Sequence, residues 1–239
     1  MRSIVMDTGV IISLASNGLL WLLEPMRKRF KGEFLIPSSV RREIIDMPLQ
    51  SLRFKLEAMQ VLSEVAKGNI KLYESPDIIE EAKRLSEISN NIFRAQGSYI
   101  QIMQSGEIGA IVLAKKVGAE ALLVDERATR VLIEEPIKLK ELLQSKLHTK
   151  VEVNFGNLEK FKQYTAGMKV IRSIEFCVVA FEFGLLDGYA LSGEQKFVRG
   201  ELKGKLLEAI LWGLKMRGCS ISDEEIIRYM ELEGFSSIQ

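Results

Sequence analysis

The chain has 239 residues, enough for one sizeable α/β domain with a small appendage but cramped for two full domains. Its 33 Lys and Arg against 32 Asp and Glu leave a net charge of +1, so any affinity for nucleic acid has to come from a local basic patch. A single histidine, His148, and only two cysteines, Cys177 and Cys219, argue against histidine- or thiolate-ligated metals and Ser-His-Asp catalysis, which leaves carboxylates as the source of any chemistry.

Both cysteines sit in apolar helical contexts and read as reduced core thiols. No apolar run reaches the ~20 residues of a membrane span, and the first residues lack the charged-then-apolar layout of a signal peptide. The expectation is a cytoplasmic protein with no membrane partner.

Ser3 to Met6, SIVM, is a short apolar strand ended by Asp7. Thr8 and Gly9 follow as a turn, and Val10 to Leu14 suits either a bent strand or a helix start. Glu33 to Ile36 is a second strand, stopped by Pro37, after which Ser38 or Ser39 caps a helix carrying Arg41, Arg42 and Glu43. Leu52, Leu56, Met59, Leu62 and Val65 recur at helical steps and predict an amphipathic helix with a structural role, ending near Gly68. Ile70 to Tyr73 is a third strand, and Ser75-Pro76 opens a helix to about Ser89.

Ser105 is expected to cap a helix from Gly106, with Glu107 in the first turn at the positive end of the macrodipole and Gly118 as its left-handed stop. AEALLV, Ala119 to Val124, then reads as a strand buried on both faces, followed directly by Asp125 and Glu126. Polarity rises over residues 136–168, which predicts an inserted arm serving dimerisation or substrate contact. The core pattern resumes with a last strand at Lys169 to Arg172 and a helix capped by Ser173. C-terminal helices follow at about 201–239, with Ser222 to Glu225 spaced as a capping box. Strands alternating with helices predict a single α/β domain over 1–239, a three-layer α/β/α sandwich around a mostly parallel sheet.

Taken singly, each acid reads as a helix cap or a surface charge. As a set, Asp7 and Asp125 end short strands, while Glu43 and Glu107 lie near helix starts. Strand ends and helix starts share one edge of a parallel sheet, so the four are expected to converge there. Converging carboxylates repel one another unless a cation or protons intervene, and an all-oxygen set favours Mg²⁺ or Mn²⁺. Such a site suits phosphodiester hydrolysis.

The segments IVMDTGVIISL from Ile4, FLIPSSVRREI from Phe34, SGEIGAIVLAKKVGAEALLVDERATR from Ser105 and VIRSIEFCVVAFEFGLL from Val170 resemble the PIN-domain family of nucleases. That resemblance implies a flavodoxin-like fold and metal-dependent cleavage of RNA, with Asp7, Glu43, Glu107 and Asp125 as catalytic and metal-holding residues. Where the family often carries two aspartates this chain has Asp125-Glu126, so either acid can face the metal. Thr8 matches the family's hydroxyl after the first aspartate. Arg127 and Arg130 are candidates for substrate phosphates and equally ordinary surface arginines; Arg41 and Arg42 share that ambiguity. Lys196, Arg199, Lys203 and Lys205 form a basic cluster that reads first as a solvated helix face. An antitoxin-like partner and a homodimer are both compatible with the resemblance. The competing reading is a non-catalytic module that keeps the fold and binds nucleic acid or protein.

Overall fold

A computed structural model describes residues 2–191 and 199–235. At its centre lies a five-stranded parallel sheet built from β1 (Ser3–Met6), β2 (Glu33–Pro37), β3 (Ile70–Tyr73), β6 (Ala121–Leu123) and β8 (Val170–Ile171). The order is β3-β2-β1-β6-β8, with Ile4 opposite Phe34 on one side and Ala121 on the other. The three strands expected to be neighbours are therefore neighbours, and the direction of strand addition reverses between β1 and β6. Val5, Met6, Leu122 and Leu123 are fully buried, which explains their near-continuous apolar sequence.

Helices cover both faces, giving the three-layer α/β/α sandwich. The helix Ser105–Val117 packs on β1, β2 and β6 and is flanked by Ser38–Arg41 and Pro76–Ser89. Residues Gly106 to Ala114 are all buried, small or aliphatic except for Glu107, as a helix apolar on most sides requires. In the other layer Thr8–Ser16 contacts Lys55–Ala66 and Ser173–Glu182, and the latter meets Arg199–Met216. Val10 to Leu14 is thus helical. Asp7 supplies the cap that decides it, accepting from the Gly9 N–H at 3.3 Å. Among the described residues no single helix is long and apolar enough to cross a membrane.

Several local expectations change. The helix after β2 has Pro37 at its cap position with no side-chain cap, and it runs into a π-helical turn, Arg42–Asp46, closed by the Met47 N–H on the Arg42 carbonyl. Such turns widen a helix and re-aim its side chains; here the turn carries Glu43. In Lys55–Ala66 the buried residues are Ala58, Val61 and Glu64, whereas Leu52, Leu56 and Met59 are 98%, 69% and 53% exposed, so most of the predicted stripe faces solvent.

Residues 136–168 form the helix Pro136–Leu147, β7 (Val151–Val153) and the helix Phe155–Thr165. β7 joins β4 (Phe93–Ala95) and β5 (Ser98–Tyr99) in a small antiparallel sheet, and Leu158 and Phe161 are buried in the core. This segment is packed onto the domain instead of projecting from it. Cys177 and Cys219 are both buried and free.

Candidate metal centre

Asp7 and Asp125 stand at the carboxyl ends of β1 and β6, where the direction of strand addition reverses, the edge at which open parallel sheets bind ligands. The Asp7 N–H donates to the Leu123 carbonyl at 3.0 Å, tying the two strand ends together. A Cβ placed on Gly9 would lie 3.6 Å from both the Asp7 Oδ2 and the Asp125 Cβ, so this position sits in contact distance of both aspartates.

Asp7 is 2% exposed, and its Oδ1 is buried with no hydrogen-bond partner. Burial pushes its carboxyl up to about 8, and the charges of Glu107 and, more weakly, Glu43 push the same way, against the opposing backbone donors of Thr8 and Gly9.

Glu43 is anchored from two helix starts. Its Oε2 accepts from the Thr8 hydroxyl at 2.6 Å, and its Oε1 accepts from the Ser105 hydroxyl at 2.7 Å and the Gly106 N–H at 2.9 Å. Gly106 permits this approach, because a Cβ there would sit 2.4 Å from Glu43 Oε2 and 2.8 Å from Thr8 Oγ1. Glu107 is buried in the first turn of the same helix. Its two oxygens accept from the Gln104 N–H at 2.5 Å and the Thr129 hydroxyl at 3.0 Å. Burial raises its pKa, those two donors oppose the rise, and Glu126 and Glu43 add to it.

Asp125 is buried and held by Ser173, whose N–H donates to Oδ1 at 2.7 Å and whose hydroxyl donates to Oδ2 at 2.8 Å, with the Cys219 thiol as a further partner. Glu126 is exposed and caps the helix Arg127–Glu134 through the Ala128 N–H at 3.3 Å. Of the adjacent acids, Asp125 is therefore the buried one and Glu126 the exposed one. Its charge reaches both buried thiols and adds to the burial that raises their pKa values, Cys219 to about 12.

The expected ligands are thus brought to one edge, but Glu43, Glu107 and Asp125 have both oxygens engaged, and Asp7 and Glu126 each cap a helix. Among the described residues no three or more acids, histidines or cysteines are drawn close enough to hold a metal ion as they stand. The donor set is nevertheless hard oxygen throughout, and Asp7 Oδ1 is a buried acceptor that a cation would satisfy.

Arg127 and Arg130 line a different cleft of about 510 Å³, shared with Arg172, Glu175, Ser222 and Glu225 and lined by none of the four acids. Arg172 lies buried at the cleft wall, paired with Glu175 and Glu225, the latter at 2.9 Å. The basic cluster does not assemble as a free patch: Lys203 pairs with Asp187 at 2.9 Å, and Lys196 lies outside the described residues. Ser173 and Thr129 were not expected as partners of the acids. Ser173 carried the signal of a helix cap, and Thr129, two residues past Arg127, carried none.

No protein-family model matches the chain, and no curated protein matches it. Among solved structures, a chain from the structure of VapBC2 from Rickettsia felis bound to a DNA fragment from their promoter is similar at 12% identity and a TM-score of 0.40, covering 72% of this chain and 98% of that one.

Proposed function

We propose that the chain is a PIN-like endoribonuclease that hydrolyses phosphodiester bonds in RNA with Mg²⁺ or Mn²⁺ held by Asp7, Glu43, Glu107 and Asp125. The observation that carries this reading is Asp7: a carboxylate at the sheet's reversal point, buried beside Glu107, with one oxygen left without a donor. Leaving a buried acceptor unpaired costs about 1–3 kcal/mol, a cost that binding a cation would remove. When bound, the metal would polarise a phosphoryl oxygen and lower the pKa of the attacking water.

The chain's own residues have separate tasks. Asp7 and Asp125 stand at adjacent strand ends. Glu43 links the hydroxyl of Thr8 to that of Ser105, so a shift of either helix moves it. Ser173 and Thr129 orient Asp125 and Glu107. Arg127 and Arg130, in the neighbouring cleft, would meet phosphates of a strand leaving the acids.

A second reading, a non-catalytic module of the same fold, is favoured by the capping duties of the acids. Glu107 and Glu126 each satisfy backbone N–H groups at the start of a helix, work that needs no metal. Labelled single-stranded and structured RNA incubated with Mn²⁺, Mg²⁺ or EDTA separates the two. Metal-dependent cleavage lost in Asp7→Asn supports the nuclease; intact RNA under every condition supports the module.

A further inference from the structure

We infer that the cleft between the helices Ser38–Arg41, Pro76–Ser89 and Ser105–Val117 binds one nucleotide unit of a single-stranded nucleic acid beside the acid cluster, with phosphate on Arg42 and Lys83 and the base on Ile79. The inference rests on the nuclease reading for the strand's direction toward the acids, but the cleft is a separate place with its own chemistry.

The cleft has a volume of about 480 Å³, within the range of small-ligand sites. No Asp or Glu lines it, although Ser105 in its lining donates to Glu43. Arg42 and Lys83 are exposed on its wall, and among the described residues neither makes an ion pair or a side-chain hydrogen bond. Two neighbouring cations are instead paired: Arg41 with Asp46 and Glu74, and Lys116 with Asp77. Two unpaired cations over an acid-free lining attract an anion.

Between them the lining turns apolar. Ile79 is 53% exposed although it projects from a helix whose Ile78 and Leu85 are buried, and Met103 lies beneath. A flat base can cover this surface, and the hydrophobic gain does not depend on base identity. Ser105 closes the far end and donates to Glu43 Oε1, so a strand occupying the cleft continues directly onto the acids.

The test is anisotropy of short 5′-labelled oligouridylate and oligothymidylate, titrated in EDTA at several salt concentrations with wild type, Lys83→Ala and Ile79→Ser. Both substitutions are at exposed positions of one helix, and unchanged melting curves confirm that the variants fold. Lys83→Ala should weaken binding on the order of tenfold and make the log–log salt slope shallower by about 0.7, the loss of one phosphate contact. Ile79→Ser should weaken binding with the slope unchanged. Equal losses for both oligomers leave the cleft a general single-strand site; a loss confined to the RNA makes it specific to ribose. Wild-type affinity in both variants, no binding by the wild type, or equally tight binding of a duplex overturns the proposal. Cleavage with Mn²⁺ is scored separately. Wild-type cleavage with unaffected variant binding removes the cleft and leaves the nuclease, whereas weakened variant binding without any cleavage does the reverse.

Discussion

Ser173 grips both oxygens of Asp125, its N–H at 2.7 Å from Oδ1 and its hydroxyl at 2.8 Å from Oδ2, with both residues buried. The carboxylate thereby sits at the positive end of the helix Ser173–Glu182, where its charge is stabilised and its orientation fixed. On repulsion alone Asp125→Asn would stabilise the metal-free protein. This clamp reverses the sign, because the neutral amide forfeits the charge-assisted bonds that the Ser173 N–H and hydroxyl make to the carboxylate.

Asp125→Asn should therefore lower stability, and Ser173→Ala should too, each by about 1–3 kcal/mol, the usual cost of a buried group stripped of its partner. The two changes remove the same interaction, so the double variant should lose less than the sum. Urea unfolding of the four proteins tests this. Strict additivity would show that Ser173 and Asp125 contribute independently.

Asp7 gives the opposite outcome. Its folded pKa of about 8 lies above the unfolded carboxylate value near 4, so the folded state binds the proton more tightly. Both states are protonated below about pH 4, where Asp7 costs nothing. As pH rises toward about 8 the unfolded state ionises first, and stability falls; Glu107, also raised, adds to the fall. Metal-free Asp7→Asn should gain on the order of 3–4 kcal/mol over wild type at neutral pH and little in acid. Melting temperatures across this range check the claim: parallel curves for the two proteins would show that Asp7 titrates normally.

The parts of the site visible in the sequence were those fixed by chain direction. A short apolar strand followed by an acid places that acid at the carboxyl edge of a parallel sheet, and Asp7 and Asp125 are found there. What single positions could not reveal was which atom does the capping. Ser105 and Ser173 both looked like helix caps, yet each is the first helical residue. The N–H groups of Gln104 and Arg172 instead go to Glu107 and Glu175 three positions on, which frees the serine hydroxyls for Glu43 and Asp125. Periodicity likewise located the helix Lys55–Ala66 but not its inner face. Small Ala58 and Val61 lie against the protein, while Leu56 and Met59 face outward.

Gly106 is where the Glu43 anchorage is most exposed to substitution. In Gly106→Ala the new methyl would press on Glu43 Oε2 and Thr8 Oγ1, atoms joined by a 2.6 Å hydrogen bond, so one must move. Overpacking of this kind costs about 1–3 kcal/mol. Cleavage should fall at least about tenfold while single-strand binding in EDTA is retained, since the cleft cations are untouched. Full activity in Gly106→Ala would mean that Glu43 need not hold its place.

Metal binding supplies the last discrimination, because a cation at Asp7 has to displace the proton that burial retains there. Mn²⁺ at a hundred times its Kd should stabilise wild type by about 2.7 kcal/mol through mass action on the folded state. That gain should shrink as pH falls below about 8, where the proton competes for Asp7. Asp7→Asn should show little gain and no such pH dependence. Arg127→Ala, in the neighbouring cleft, should respond to Mn²⁺ like wild type. Melting curves of the three proteins with and without Mn²⁺ at two pH values decide between the readings. A response that survives Asp7→Asn unchanged places the metal elsewhere. If wild type shows no response at either pH, the raised pKa of Asp7 is a cost the fold bears without a metal, and the non-catalytic module is the better account.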